Sequence, residues 1–137
     1  MTDDVVASDP WGEIIFYDHW NTLELRWLPS TKDATDDDTR KTMELFSAEA
    51  ERRKPSSLIV DTTEFGHRWG EGMMEWRNEK IIPGYNRAGV KKFAFIAGPG
   101  YPGDTVEAGA QPAPEGPANF PTGWFSTREG AYAWLAS

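Results

Sequence analysis

Ser57-Leu58-Ile59-Val60-Asp61-Thr62-Thr63-Glu64-Phe65-Gly66-His67-Arg68-Trp69 is the stretch whose reading decides the fold. Leu58 to Val60 is too short and too uniformly apolar for a surface element, which marks a strand central in a sheet. The polar run behind it reads as a loop that leads into a helix. In an open α/β sheet the carboxyl end of such a strand is where sites are built.

Toward the C-terminus, a helix is expected near Glu71, with Trp69, Met73, Trp76 and Lys80 at i, i+4, i+7 and i+11 and Pro83-Gly84 at its end. Lys91 to Ala97 reads as a second buried strand. From Gly98 to Pro121 the chain is mostly Gly, Pro, Ala and small polar residues, a composition that favours a long loop over helix or strand. Trp124-Phe125 follows as a short strand. Ser126-Thr127-Arg128-Glu129 spells a capping box for a last helix, with Ala131, Trp134 and Leu135 facing inward.

Toward the N-terminus, Glu13 to Asp18 and Thr22 to Leu28 are strand-like and flank His19-Trp20-Asn21, which predicts a hairpin. Thr35 with Asp36, Asp37 and Asp38 supplies a hydroxyl cap and three carboxylates for a helix start. That helix runs through Met43, Phe46 and Ala50, and Glu51-Arg52-Arg53-Lys54 closes it before Pro55. The predicted order is β-β-α-β-α-β-loop-β-α. It describes one α/β domain over 1–137, with a mixed, largely parallel sheet, an N-terminal β-hairpin and about three helices joined by right-handed crossovers.

Composition removes several chemistries. A chain of 137 residues buries roughly two thirds of its unfolded surface and needs no staple. With no cysteine, disulfides, thiolate metal sites and cysteine nucleophiles are excluded. A net charge of −8 repels phosphate backbones, so nucleic acid is not an expected partner. Met1 to Val6 has no apolar core run, and no stretch approaches a membrane span. A cytoplasmic location is the expectation. Seven tryptophans and seven phenylalanines exceed what a minimal core needs, leaving room for an aromatic-lined cavity or contact surface beside ordinary core packing.

The hairpin start, Leu58-Ile59-Val60-Asp61 with Phe65 four residues on, Lys91-Lys92-Phe93-Ala94-Phe95-Ile96, and the ending Trp124-Phe125-Ser126-Thr127-Arg128-Glu129-Gly130-Ala131-Tyr132-Ala133-Trp134-Leu135 together resemble the small STAS/Sec14-like bacterial domains. The resemblance spans most of the chain and rests on structural motifs. It implies a fold of that type and a non-enzymatic role in binding protein partners or small ligands. Anti-sigma factor antagonists of this group carry a phosphorylatable serine in the turn after the central strand. Here Gly66 to Gly72 has no hydroxyl, which argues against a kinase-controlled switch.

The chemically richest cluster is Asp61, His67, Arg68, Glu71, Glu75 and Arg77. His67 beside carboxylates has the makings of a general base, Arg68 of an anion holder, and His67 with Glu71 of a metal pair on one helical turn. The structural alternative has Asp61 capping a turn, Glu71 pre-charging the helix and His67 in solvent. Gly98-Pro99-Gly100-Tyr101-Pro102-Gly103 matches a dinucleotide fingerprint in spelling only, because its prolines prevent the helix that must begin there. As a lid, the 98–121 loop would bring Tyr101 over Trp69, Met73 and Trp76 as a pocket wall. Those residues at helical spacing equally suit a core.

Two functions remain from this reading: a regulatory or protein-interaction module, or a binder of a small apolar or amphipathic ligand under the 98–121 loop. The expected ligand- or partner-binding residues are Asp61, Phe65, His67, Arg68, Trp69, Met73, Trp76 and Tyr101. No catalytic residue, metal or cofactor is assigned. The partner is an unidentified protein or a small apolar ligand.

Overall fold

The computed structural model describes residues 3–97, 113–114 and 117–136. Along the chain lie β1 (Asp3–Asp9), β2 (Gly12–Tyr17), β3 (Thr22–Trp27), α1 (Asp36–Arg53), β4 (Ser57–Asp61), α2 (Met73–Lys80), α3 (Ile82–Ala88), β5 (Lys92–Ile96), β6 (Ala113–Pro114), β7 (Pro121–Phe125) and α4 (Arg128–Ala136). They build a mixed α/β fold around one sheet of order β1-β2-β3-β4-β5-β7-β6. The four strands β3, β4, β5 and β7 run parallel in the middle. Antiparallel strands flank them, β1 and β2 on one side and β6 on the other.

Side-chain alternation divides the sheet into two faces. Leu23, Leu25, Trp27, Leu58, Val60, Phe93 and Phe95 point into the main core, which Met43, Phe46 and Ala50 of α1 and Ile82, Tyr85 and Ala88 of α3 complete. Ile59, Ala94, Ile96 and Phe125 point the other way and pack with Ala131 of α4. Leu58 and Ile59 are both fully buried, as a central strand covered on both faces requires.

Local chemistry sets the helix ends. Thr35 Oγ1 accepts the Asp38 N–H at 3.1 Å, and Asp38 returns the bond to the Thr35 N–H at 2.9 Å. Such a reciprocal cap is worth about 1 kcal/mol. The cap of α4 falls one residue later than the sequence suggests: the helix begins at Arg128, and Thr127 Oγ1 accepts the Gly130 N–H at 3.0 Å.

Among the described residues there are four α-helices, α2 and α3 standing where one helix was expected. Pro83 lies in the first turn of α3, where its missing N–H costs nothing, so it opens a helix instead of ending one. Helix α2 begins only at Met73, which leaves Trp69 in the preceding loop. β1 was also not anticipated from sequence; it adds an outer strand to the predicted hairpin.

Most of the 98–121 loop, including the Gly98 to Gly103 spelling, lies outside the described residues. Its described end is not a bare loop. Ala113–Pro114 pairs with β7, Ala118 and Phe120 are buried, and Asn86 of α3 ties down this segment by accepting the Asn119 N–H at 2.8 Å. No helix among the described residues is long and apolar enough to cross a membrane.

Candidate functional site

The parallel strands end beneath the segment 62–72, and a cavity of about 460 Å³ opens there between the sheet and the helices. That volume falls in the ordinary range of small-molecule sites. Its floor comes from the strands: Leu25 and Trp27 of β3, Val60 of β4, Phe93 and Phe95 of β5, and Trp124 of β7. All six share one face by alternation, and four are aromatic. Met43, Met74, Arg77 and Tyr85 of the helices and Thr62, Phe65, His67, Arg68 and Trp69 of the loop complete the lining. Arg68 and Met74 are the exposed members and mark its mouth.

The rings of the floor are ordered. Phe93, Phe95 and Trp124 stack in a row that buried Phe120, outside the lining, continues, with centroids 6.0 Å (Phe120–Phe93), 4.7 and 4.1 Å apart and the last pair only 7° from parallel. Arg77, 5% exposed, places its guanidinium carbon 6.0 Å from the Phe93 centroid and 5.7 Å from that of Phe95. A cation near desolvated ring faces gains from their negative quadrupole. Burial pushes the Tyr85 hydroxyl well above the usual tyrosine range, against the opposing charge of Arg77.

The loop wall is fixed at three points. Thr62 is buried and donates its hydroxyl to the Ile96 carbonyl at 2.7 Å. Thr31 Oγ1 accepts the Gly66 N–H at 2.8 Å. Asp36, in the first turn of α1, lies 2.6 Å from His67 Nε2 and accepts the Gly70 N–H at 3.2 Å. Those contacts, led by the His67 hydrogen bond and the Gly70 amide, hold the Asp36 carboxyl below its ordinary value. As a carboxylate Asp36 is acceptor only, so Nε2 of His67 carries the shared proton. Phe65 packs on Trp27 at 4.8 Å and on Trp69 at 6.2 Å.

Of the residues expected at the site, Phe65, His67, Arg68 and Trp69 line the cavity. Asp61 does not, because alternation turns it to the opposite face with Ile59; there its Oδ1 accepts the Thr63 N–H at 2.9 Å and its Oδ2 lies 3.6 Å from Arg128. Met73 is fully buried in the packed interior. Trp76 turns toward α1, its ring 5.8 Å from the Arg40 guanidinium carbon. Tyr101 lies outside the described residues. His67 is not in open solvent, since its side chain is 14% exposed. His67 and Glu71 share no helical turn, because α2 starts after both, and no group of three potential ligands converges on a metal position among the described residues.

Sequence reasoning missed Leu25, Trp27, Met43, Val60, Thr62, Met74, Tyr85, Phe93, Phe95 and Trp124 as lining, and placed Arg77 in the charged cluster but not among the binding residues. A signal existed in the strand aromatics, which share one parity near the carboxyl ends of parallel strands.

On the far face, Glu24 is fully buried. It accepts from the Tyr17 hydroxyl at 2.7 Å and from Arg26 Nε at 3.2 Å, and is bridged by both terminal nitrogens of Arg128. Burial opposes the Arg128 charge, yet Glu24 and Asp61 hold it protonated more firmly than usual. Burial and the Glu24 carboxylate together push the Tyr17 hydroxyl above its normal range. This cluster fastens α4 to β3. In comparisons with known proteins, no family model, no curated protein and no solved structure matches the chain.

Proposed function

We propose that this protein is a non-enzymatic, STAS-like domain that binds a small apolar or amphipathic molecule in the cavity at the carboxyl ends of its parallel strands. The observation that carries this reading is the cavity itself. It is about 460 Å³, floored by stacked aromatic rings and walled by a loop that hydrogen bonds hold in place. A volume of this size with an apolar, aromatic floor and a few polar groups in its wall has the form of a small-molecule site. Support for the STAS-like assignment is the order of elements, a hairpin followed by parallel strands with helices crossing between them. A cytoplasmic location belongs to the same proposal.

Protein interaction is the other expected role. Large apolar side chains exposed among the described residues are Val5 on β1 and Met74 on α2. They stand singly, which gives a docking partner little apolar surface.

The test is native mass spectrometry of protein purified gently from its own host, followed by solvent extraction. A reproducible bound mass is expected. In parallel, the fluorescent apolar amine N-phenyl-1-naphthylamine is titrated into the apo protein and into Val60→Phe, whose ring fills the cavity. Binding by the parent and its loss in the variant are expected; no bound mass and no probe binding would overturn the reading.

A further inference from the structure

We infer that the ligand is an apolar molecule bearing a hydroxyl, a phenol above all, and that Nδ1 of His67 accepts the hydrogen bond of that hydroxyl. This inference rests on the ligand-binding reading above and deepens it by naming the ligand's polar group. What carries it is the meeting of His67 and Asp36 at the cavity wall. His67 lines the cavity, and its Nε2 lies 2.6 Å from Asp36 Oδ1. The same carboxylate accepts the Gly70 N–H at 3.2 Å, and these contacts hold the Asp36 carboxyl below its ordinary value, so that it stays charged. A carboxylate only accepts, which puts the imidazole hydrogen on Nε2. In a neutral imidazole the other nitrogen, Nδ1, is then a lone-pair acceptor.

That acceptor is available to a ligand. Nδ1 makes no hydrogen bond among the described residues. The buried side-chain atoms without a partner there are the indole nitrogens of Trp20 and Trp69, so the unpartnered Nδ1 is not sealed off. The ring that bears it is held in place. Phe65 meets it edge-on, with centroids 6.2 Å apart and planes at 90°, and leans in turn on Trp27. An acceptor fixed in this way costs a ligand little ordering of the site. Arg68 at the mouth can only donate, and Thr62 already gives its hydroxyl hydrogen to the Ile96 carbonyl. A ligand O–H therefore finds its match in the imidazole nitrogen. A phenol is more acidic than an alkanol and so the stronger donor, and its ring suits the aromatic floor.

The experiment uses two probes with one skeleton, 2-naphthol and 2-methoxynaphthalene. Both present an oxygen, but 2-naphthol alone presents an O–H. Their dissociation constants for the full-length apo protein are measured by fluorescence titration at mildly alkaline pH, where an ordinary imidazole is neutral and the naphthol keeps its proton. A site built to pair with a hydroxyl discriminates against the analogue that lacks it. The naphthol is expected to bind about fivefold more tightly or better, although the ether is the more apolar of the two. His67→Gln, whose amide N–H can still reach Asp36 but which has no ring nitrogen at the wall, is expected to remove that preference. Val60→Phe should abolish binding of both probes. Long-range proton–nitrogen NMR reads the tautomer directly: the apo protein is expected to carry the His67 hydrogen on Nε2, and 2-naphthol but not the ether is expected to shift the Nδ1 resonance. Asp36→Ala is expected to mix the two tautomers, a readout of its hold on the proton and not of the fold.

Equal or weaker binding of the naphthol in the parent protein would overturn the inference and leave the cavity reading intact. So would an apo His67 with its hydrogen on Nδ1. Binding of neither probe would overturn both readings. Naphthol binding that survives Val60→Phe would place the hydroxyl elsewhere and overturn the inference too. Should His67→Gln fail to fold, the ratio of the two affinities and the tautomer in the parent protein still decide the matter.

Discussion

Asp36 and His67 are 31 residues apart in sequence and meet at 2.6 Å, joining the first turn of α1 to the loop that walls the cavity. The same carboxylate accepts the Gly70 N–H, so one side chain holds both the histidine and the backbone three residues beyond it. Thr62 and Thr31 tie the nearer part of the loop between β4 and α2, and Asp36 is the tie that reaches His67 and Gly70. Asp36→Ala should therefore raise amide hydrogen exchange across 64–70 by at least tenfold and leave exchange in β4 and β5 unchanged. Unaltered exchange in the loop would show that Phe65 and Trp69 packing alone fix it.

Gly70 makes an independent test of the same contact. A Cβ there would lie 2.6 Å from Asp36 Oδ2, closer than real carbon and oxygen atoms approach. The flexible carboxylate can swing aside, so Gly70→Ala should cost little global stability while breaking both contacts. Its exchange pattern should copy that of Asp36→Ala. A double variant with no further increase would place both changes on one interaction.

The depressed carboxyl of Asp36 gives the loop a dependence on acid. A folded-state value below the unfolded one means that the contact contributes fully above the ordinary value of 3.8 and is lost as pH falls through the lowered folded value. His67, the Gly70 amide and Arg40 are the groups that favour its charged form. The Gly70 amide resonance in two-dimensional NMR should thus report Asp36 titrating below pH 3.8. In Asp36→Asn that transition should vanish. A midpoint at or above 3.8 in the parent protein would contradict the geometry.

Glu24 and Arg128 set the stability of the opposite face. Removing one partner of a buried, hydrogen-bonded ion pair strands the other, at a cost of about 3 kcal/mol or more. Because Arg128 retains some access to water, with 28% side-chain exposure, the lower end applies. Glu24→Leu should accordingly destabilise the fold by about 3 kcal/mol in denaturant unfolding. The double variant Glu24→Leu with Arg128→Leu should recover part of that loss, and full additivity would show that the two residues are not coupled.

Filling the cavity separates a site from a packing defect. Enlarging a side chain in a tightly packed core typically costs about 1–3 kcal/mol. Val60→Phe projects into open space, so a change below about 1 kcal/mol is expected in the same unfolding assay. A larger loss would mean that the neighbouring rings cannot accommodate the new side chain.

Much of the architecture was legible because it follows from short-range rules. The apolar run Leu58 to Val60 has the length and uniformity of a strand covered on both faces, and it sits fourth in the sheet with neighbours on both sides. Thr35 with Asp38 spells a capping box and forms one. The loop after β4 could be picked out because four residues of 65–69 combine aromatic and cationic side chains at the carboxyl end of a central strand. Pro83 was misread because proline is equally at home just after one helix and just inside the next, and no local rule chooses between them.

What sequence alone determined here is periodicity, which fixes the strands and their two faces, and the cap chemistry that starts α1. Tertiary structure decided which side chains meet. Glu24 and Arg26 read as the polar half of an alternating strand, and whether that face meets water depends on Arg128, 104 residues away, closing over Glu24. Asp36 reads as one of three interchangeable carboxylates at a helix start, and only the return of the loop at Gly66 to Gly70 singles it out for His67. The parity of the strand aromatics hints at the cavity floor but not at the enclosure, because the lining is drawn from four parallel strands, three helices and a loop. Alternation says which face a residue takes; the packing of distant elements says whether that face encloses a space, meets a charge or is filled.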